Sequence, residues 1–111
     1  MKRTVFLFIT LLSLQFGFSQ ASKNPFFDQR GNELLLGKIT KTDLTINSFN
    51  EWFSDNYDNY LENKNVIKLI KDSISQYEIK VFLGTWCGDS KREIPRFYKV
   101  IEQAKFPKNQ L

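Results

Sequence analysis

The sequence predicts an α/β fold, and three observations carry that prediction. A short, almost wholly apolar run, Ile79-Lys80-Val81-Phe82-Leu83, ends at Gly84 and has the β-branched and aromatic make-up of a central strand buried on both faces. A helix-periodic segment, Asp43 to Leu61, precedes it, and a second one begins at Gly88. Helix, buried strand, loop and helix make half of a βαβ organisation. The 111 residues leave room for one small domain, and 41% hydrophobic with 15% aromatic residues supply a core and argue against disorder.

Residues 1–19 have the pattern of a secretory signal peptide. Lys2 and Arg3 form a positive start, Val5 to Leu14 is apolar apart from Thr10 and Ser13, and apolar residues continue to Phe18. Gly17 and Ser19 are small residues three and one positions before a cut after Ser19. The run is shorter than the ~20 residues a spanning helix needs, so cleavage is expected rather than an anchor. The mature chain is then periplasmic or secreted, with no stable membrane span. No Cys lies nearby to carry a lipid.

Residues 20–32 read as a polar linker that contains Pro25, Gly31 and one aromatic pair, Phe26-Phe27, and that either docks this pair or stays mobile. Glu33 to Thr40 reads as a short strand, weakened by its leucines and by Gly37. Asp43 to Leu61 reads as one helix capped by Ser48 or Thr45, with Glu51 placed for a capping box with Ser48. Phe49, Trp52, Phe53, Tyr57, Tyr60 and Leu61 form its apolar stripe, which reads as core packing in preference to a ligand groove. After the polar break Glu62–Asn65, residues Val66, Ile67, Leu69, Ile70 and Ile74 mark a second, shorter helix. Residues 33–77 thus form a strand and helical extension ahead of a second part, residues 78–111. From Gly88 onward Ile94, Phe97, Tyr98 and Ile101 line one helix face, Pro95 should kink that helix, and Pro107 should stop it.

Composition narrows the chemistry. There is no His and only one Cys, so the chain cannot build a thiolate-rich zinc site, and no metal or other cofactor is expected. The net charge of +4 falls to +2 once Lys2 and Arg3 leave with the signal peptide, too little to argue for nucleic acid.

The single Cys87 sits where the loop after the apolar run turns into a helix. Unpaired N–H groups and the dipole at a helix start stabilise a thiolate and lower its pKa. Lys91 and Arg92, one turn later, would add positive potential, Asp89 would oppose them, and Trp86 would wall one side of the sulfur. In an oxidising compartment a lone thiol of this kind is either reactive or paired with another molecule. The alternative is a buried, inert Cys acting as a small hydrophobe.

Trp86-Cys87-Gly88-Asp89-Ser90-Lys91, followed by Pro95, resembles the active site of the thioredoxin family, where the pattern is Trp-Cys-Gly-Pro-Cys-Lys with a proline eight positions after the first Cys. The likeness covers about residues 78 to 107, strand, loop and helix in register. It implies the N-terminal part of a thioredoxin-like fold. It also implies that Cys87 is the nucleophile, that Trp86, Gly88 and Asp89 face the substrate, and that Pro95 is structural. Three departures qualify it. Ser90 stands where the family has its resolving cysteine, giving a monothiol Cys-x-x-Ser site that cannot cycle an internal disulfide, although its hydroxyl can support the thiolate. Asp89 replaces a proline, and Val81 stands where typical members carry a buried acid. The family fold also continues with a strand, a cis-proline loop, another strand and a helix. The sequence is therefore expected to be a partial one, the alternative being a short protein that completes its sheet with a partner.

The function expected is that of an exported thioredoxin-like protein exchanging thiols and disulfides through a mixed disulfide at Cys87, with Ser90 assisting. Its partners would be protein or small-molecule thiols and disulfides and an external thiol reductant. The alternatives are a redox-inactive binding or assembly module of the same fold, with the aromatic helix Phe49 to Leu61 as contact surface, or a non-functional truncated fragment.

Overall fold

The structure is a computed structural model and describes residues 26–111. The signal peptide expected over residues 1–19 and residues 20–25 of the expected linker lie outside the described residues. In chain order the elements are β1 (Phe26–Phe27), β2 (Glu33–Leu34), α1 (Lys41–Leu44), α2 (Asn47–Asp58), α3 (Lys64–Ile74), α4 (Gly88–Gln103) and a terminal 3-10 turn (Lys108–Gln110).

The expected linker is in part a hairpin. β1 and β2 pair antiparallel, Phe26 opposite Leu34 and Phe27 opposite Glu33. Asp28 organises the turn: its carboxylate accepts the N–H groups of Arg30 and Asn32 and the side-chain amide of Asn32, each at 2.8 Å. Gly31 takes the left-handed φ of 79° that the turn requires. These bonds hold the Asp28 carboxyl below its ordinary range, the Asn32 amide contributing most. Phe26 and Phe27 remain exposed on this hairpin instead of docking.

The helix expected over Asp43–Leu61 is two helices. α1 starts earlier, at Lys41, because Asp43 reaches back to the Thr40 N–H (2.6 Å) and hydroxyl (2.9 Å). Thr45 and Ile46 break the run, and Asn47 re-enters it at φ 51°. Neither Thr45 nor Ser48 caps α2, whose N-cap is Ile46. The Ser48 hydroxyl donates instead to Glu33 Oε2 at 2.6 Å, tying α2 to the hairpin. α2 ends at Asp58, so Tyr60 and Leu61 lie outside it, and Leu61 is 90% exposed.

α2 packs on α4, the largest contact between elements. Leu44, Phe53 and Ile94 are the buried centre, and Leu35, Ile39, Trp52, Tyr57, Leu83 and Tyr98 pack around them. Two lysines fasten the layer. Lys41 Nζ bonds Glu102 at 2.7 Å and lies 4.4 Å from the centre of the Tyr57 ring. Lys99 Nζ donates to the Tyr60 carbonyl (2.8 Å) and the Asp58 carbonyl (3.3 Å), where the end of α2 presents unpaired oxygens. α4 runs unbroken through Pro95, which is almost fully buried. It ends ahead of Pro107, at a left-handed Lys105 (φ 57°). The Phe106 N–H bonds the Ile101 carbonyl (2.9 Å) and the Lys105 N–H bonds the Glu102 carbonyl (3.0 Å), a Schellman closure with Phe106 buried.

The apolar run differs most from expectation. Glu78 to Leu83 joins no strand ladder among the described residues, and its backbone tie to the rest of the fold is the Ile79 N–H to the Gln110 carbonyl at 2.8 Å. Leu83 enters the core, but Phe82 is 88% exposed and Val81 faces solvent. A strand reads as buried on both faces only when neighbours cover both, and the described sheet is a two-residue hairpin elsewhere in the fold. α3 is similar. Asn63 caps it by accepting the N–H groups of Asn65 and Val66, yet of its apolar residues only Ile67 is buried and Leu69 is 79% exposed.

Candidate functional site: the thiol at the start of α4

The loop between the apolar run and α4 is a tight turn. The Cys87 N–H donates to the Gly84 carbonyl at 2.9 Å. Within it Thr85 is buried, and its hydroxyl oxygen accepts the Leu35 N–H at 3.3 Å, pinning the turn to the segment after β2. Trp86 folds back over Gly84: a Cβ on Gly84 would stand 2.9 Å from the indole Cε2. Only glycine allows that approach, and the outer part of the indole stays exposed.

Cys87 is the N-cap of α4, in extended conformation, with its carbonyl accepting the Lys91 N–H at 3.0 Å. The thiol is free and partly exposed. Its pKa is held below the ordinary value, first by the Ser90 N–H, then by the Asp89 N–H and by the Ser90 hydroxyl. Partial desolvation and the Asp89 charge act in the opposite sense. These groups act on the thiolate without the sulfur closing a capping hydrogen bond of ordinary geometry. The Ser90 oxygen accepts the Gly84 N–H at 3.2 Å, which leaves its own proton available to the sulfur.

The remaining expected site residues divide. Gly88 has open space where a Cβ would project, so nothing inside the chain requires glycine there. Asp89 is exposed and bonds Arg92 Nη2 at 2.9 Å, while Arg92 Nε bonds Glu93 at 2.6 Å. Arg92 therefore serves carboxylates on its own helix. Pro95 is in the core, one turn beyond Lys91. Of the aromatic stretch Phe49 to Leu61, Phe49 and Phe53 are buried in the core, while Leu61 is exposed.

Beside Trp86 lies an open cleft of about 500 Å³ between the hairpin and the start of α4, lined by Asp28, Arg30, Asn32, Glu33, Leu34, Thr85, Trp86 and Lys91. A neighbouring hollow of about 330 Å³ shares Asn32, Glu33, Thr85 and Lys91 with it. The hairpin residues and Thr85 were not legible as site residues. The one signal for them is the Asp28-to-Asn32 turn chemistry, which makes a hairpin of what otherwise reads as linker.

Among the described residues no group of His, Cys, Asp and Glu could hold a metal ion, and no helix is long and apolar enough to cross a membrane. No family model, curated protein or solved structure matches the chain.

Proposed function

We propose that the protein is an exported, thioredoxin-like thiol protein that exchanges disulfides through Cys87 alone. The observation that carries this reading is the accessible thiol at the start of α4, with its pKa lowered by the Ser90 and Asp89 N–H groups and the Ser90 hydroxyl. A lowered pKa raises the thiolate fraction, and the thiolate is the nucleophile, whereas a buried structural Cys is inert. The Cys87 thiolate attacks one sulfur of a substrate disulfide. A new S–S bond joins Cys87 to that sulfur, and the other leaves as a thiolate. With Ser90 in the resolving position, an external low-molecular-weight thiol then attacks the mixed disulfide at the substrate sulfur and returns the Cys87 thiolate. Trp86 and the open backbone at Gly88 form the approach surface.

The rate of Cys87 alkylation by iodoacetamide, followed from pH 5 to 10, tests the reading. The expected midpoint lies below the free-thiol value of about 8.5. A midpoint at or above it would remove the basis for a reactive thiol. Reduction of a small disulfide with glutathione as the external thiol, beside Cys87→Ser, tests turnover, and equal rates would favour the redox-inactive binding module. That second reading draws on the exposed Leu69 and Phe82, which suit a partner surface.

A further inference from the structure

We infer that the cleft between the hairpin and Trp86 is a subsite for carboxylate side chains that flank the attacked cystine of a peptide substrate, an inference that rests on the thiol-exchange reading. Two residues that line the cleft flank the nucleophile in the chain. Trp86 precedes Cys87, and Lys91 is one helical turn beyond it, joined through the Lys91 N–H to the Cys87 carbonyl. A peptide attacked at Cys87 would thus bring its flanking residues within reach of Trp86 and Lys91.

The charged groups that line the cleft are not equivalent. Asp28 already accepts three hydrogen bonds inside the hairpin turn, and Glu33 accepts the Ser48 hydroxyl. Arg30 and Lys91 have no ion-pair or side-chain hydrogen-bond partner among the described residues, in contrast to Arg92, Arg96, Lys41 and Lys99. Arg30 and Lys91 are therefore the unpaired charges of the cleft, set beside two carboxylates, Asp28 and Glu33, whose oxygens are already engaged within the fold. Arg30 presents the planar fork that matches a carboxylate, and Lys91 a mobile point charge. The indole of Trp86 supplies an apolar wall for the stem of the acidic side chain. Arg30 is positioned by the hairpin itself, since its N–H is held by Asp28 and it stands next to the left-handed Gly31.

The test uses three cystine peptides that differ only in the residues flanking the disulfide: Glu, Gln or Lys. Mixed-disulfide formation with the whole protein is followed by mass spectrometry at low and high salt. The Glu peptide should react about three- to tenfold faster than the Lys peptide at low salt, the range expected of one or two exposed ion pairs, with the ratio shrinking in high salt. The double variant Arg30→Gln, Lys91→Gln should bring the ratio close to one while still reacting with the Gln peptide. Equal rates for the three peptides, or a ratio unchanged in the variant, would overturn the subsite. Absence of reaction with all three would overturn the thiol-exchange reading instead. The cleft is then judged by titrating the Glu and Lys peptides, with Ser in place of Cys, against amide NMR signals of residues 28–34. Shifts with the Glu peptide alone support the subsite, and their absence rejects it.

Discussion

The Ser90 hydroxyl oxygen accepts the Gly84 N–H at 3.2 Å, and the same hydroxyl helps to lower the Cys87 pKa. One side chain thus ties the end of the apolar run to the first turn of the helix that starts at the thiol. Ser90→Ala removes the hydroxyl and leaves the two N–H groups. The expected result is a Cys87 alkylation midpoint moved upward, toward the ordinary thiol value, and slower alkylation at pH 7. An unchanged midpoint would mean that the N–H groups alone hold the thiolate.

The lowered pKa of Cys87 has a pH signature in stability. The folded pKa of Cys87 is depressed, so the folded state binds fewer protons than the unfolded state between the folded pKa and about 8.5. The resulting stabilisation is fully present above the unfolded value and is lost as pH falls through the folded one. The melting temperatures of wild type and Ser90→Ala should therefore lie closer together at pH 5 than at pH 9. Because the thiol is exposed, the gap at pH 9 should be small, and a gap that widened toward acid would contradict the assignment.

Two glycines of the turn should respond in opposite ways. Gly84→Ala puts a methyl 2.9 Å from the Trp86 ring and forces the indole off the turn, so the Trp86 indole N–H resonance should move and broaden. Gly88→Ala meets open space at the first residue of α4 and should be neutral, or stabilising by up to about 1 kcal/mol because alanine loses less backbone entropy than glycine. If substrate backbone passes over Gly88, that stable variant should nonetheless exchange disulfides more slowly. A Gly88→Ala protein that is both stable and fully active would remove Gly88 from the approach surface.

The end of α4 offers a stability test independent of the thiol. Lys105 holds φ 57°, a conformation that glycine adopts without strain, so Lys105→Gly should raise the urea midpoint by the equivalent of about 0.5–1 kcal/mol. Phe106→Ala empties a buried position against the last turn of α4 and should cost about 3 kcal/mol. A destabilised Lys105→Gly would show that the Lys105 side chain contributes something the backbone geometry does not reveal.

How much of this could be read from residues depends on whether the decisive interaction is local. The periodicity from Gly88 places the helix start at the thiol, and Pro107 marks where it must have stopped, because both signals lie within a few residues of their effect. The aromatic pattern finds Phe49 and Phe53 for the core. It misses the break at Thr45–Ile46, which arises because Asp43 caps Thr40 and Ser48 turns away to Glu33, 15 residues distant. The hairpin is missed because Asp28 acts through backbone N–H groups that composition does not display. The burial of the 78–83 run is misjudged for the reverse reason: apolar residues declare that a strand can be covered, and only neighbouring elements decide whether it is. The Trp86–Gly84 contact and the Leu35–Thr85 bond, which fix the loop, join residues whose pairing no spacing rule predicts.

Glu102 is where α1, α2 and α4 meet electrostatically. It accepts Lys41 Nζ at 2.7 Å and the Tyr57 hydroxyl at 2.5 Å. Burial alone pushes the Glu102 carboxyl up, but the bonds from Lys41 and Tyr57 outweigh it and hold the group below its ordinary value. Tyr57 is pushed up to about 12, by burial first and then by its bond to Glu102. With a depressed folded pKa, Glu102 contributes stability that is present above its unfolded value of about 4.3 and is lost as pH falls through the folded one. Glu102→Gln should therefore destabilise at pH 7 by no more than about 1 kcal/mol, since the pair is one-third exposed, and the difference from wild type should shrink below pH 4. Tyr57 should also titrate in the same variant at a lower pH than in wild type, measured by absorbance at 295 nm. A Tyr57 midpoint that ignored Glu102→Gln would assign its shift to burial and leave Glu102 linking only α1 to α4.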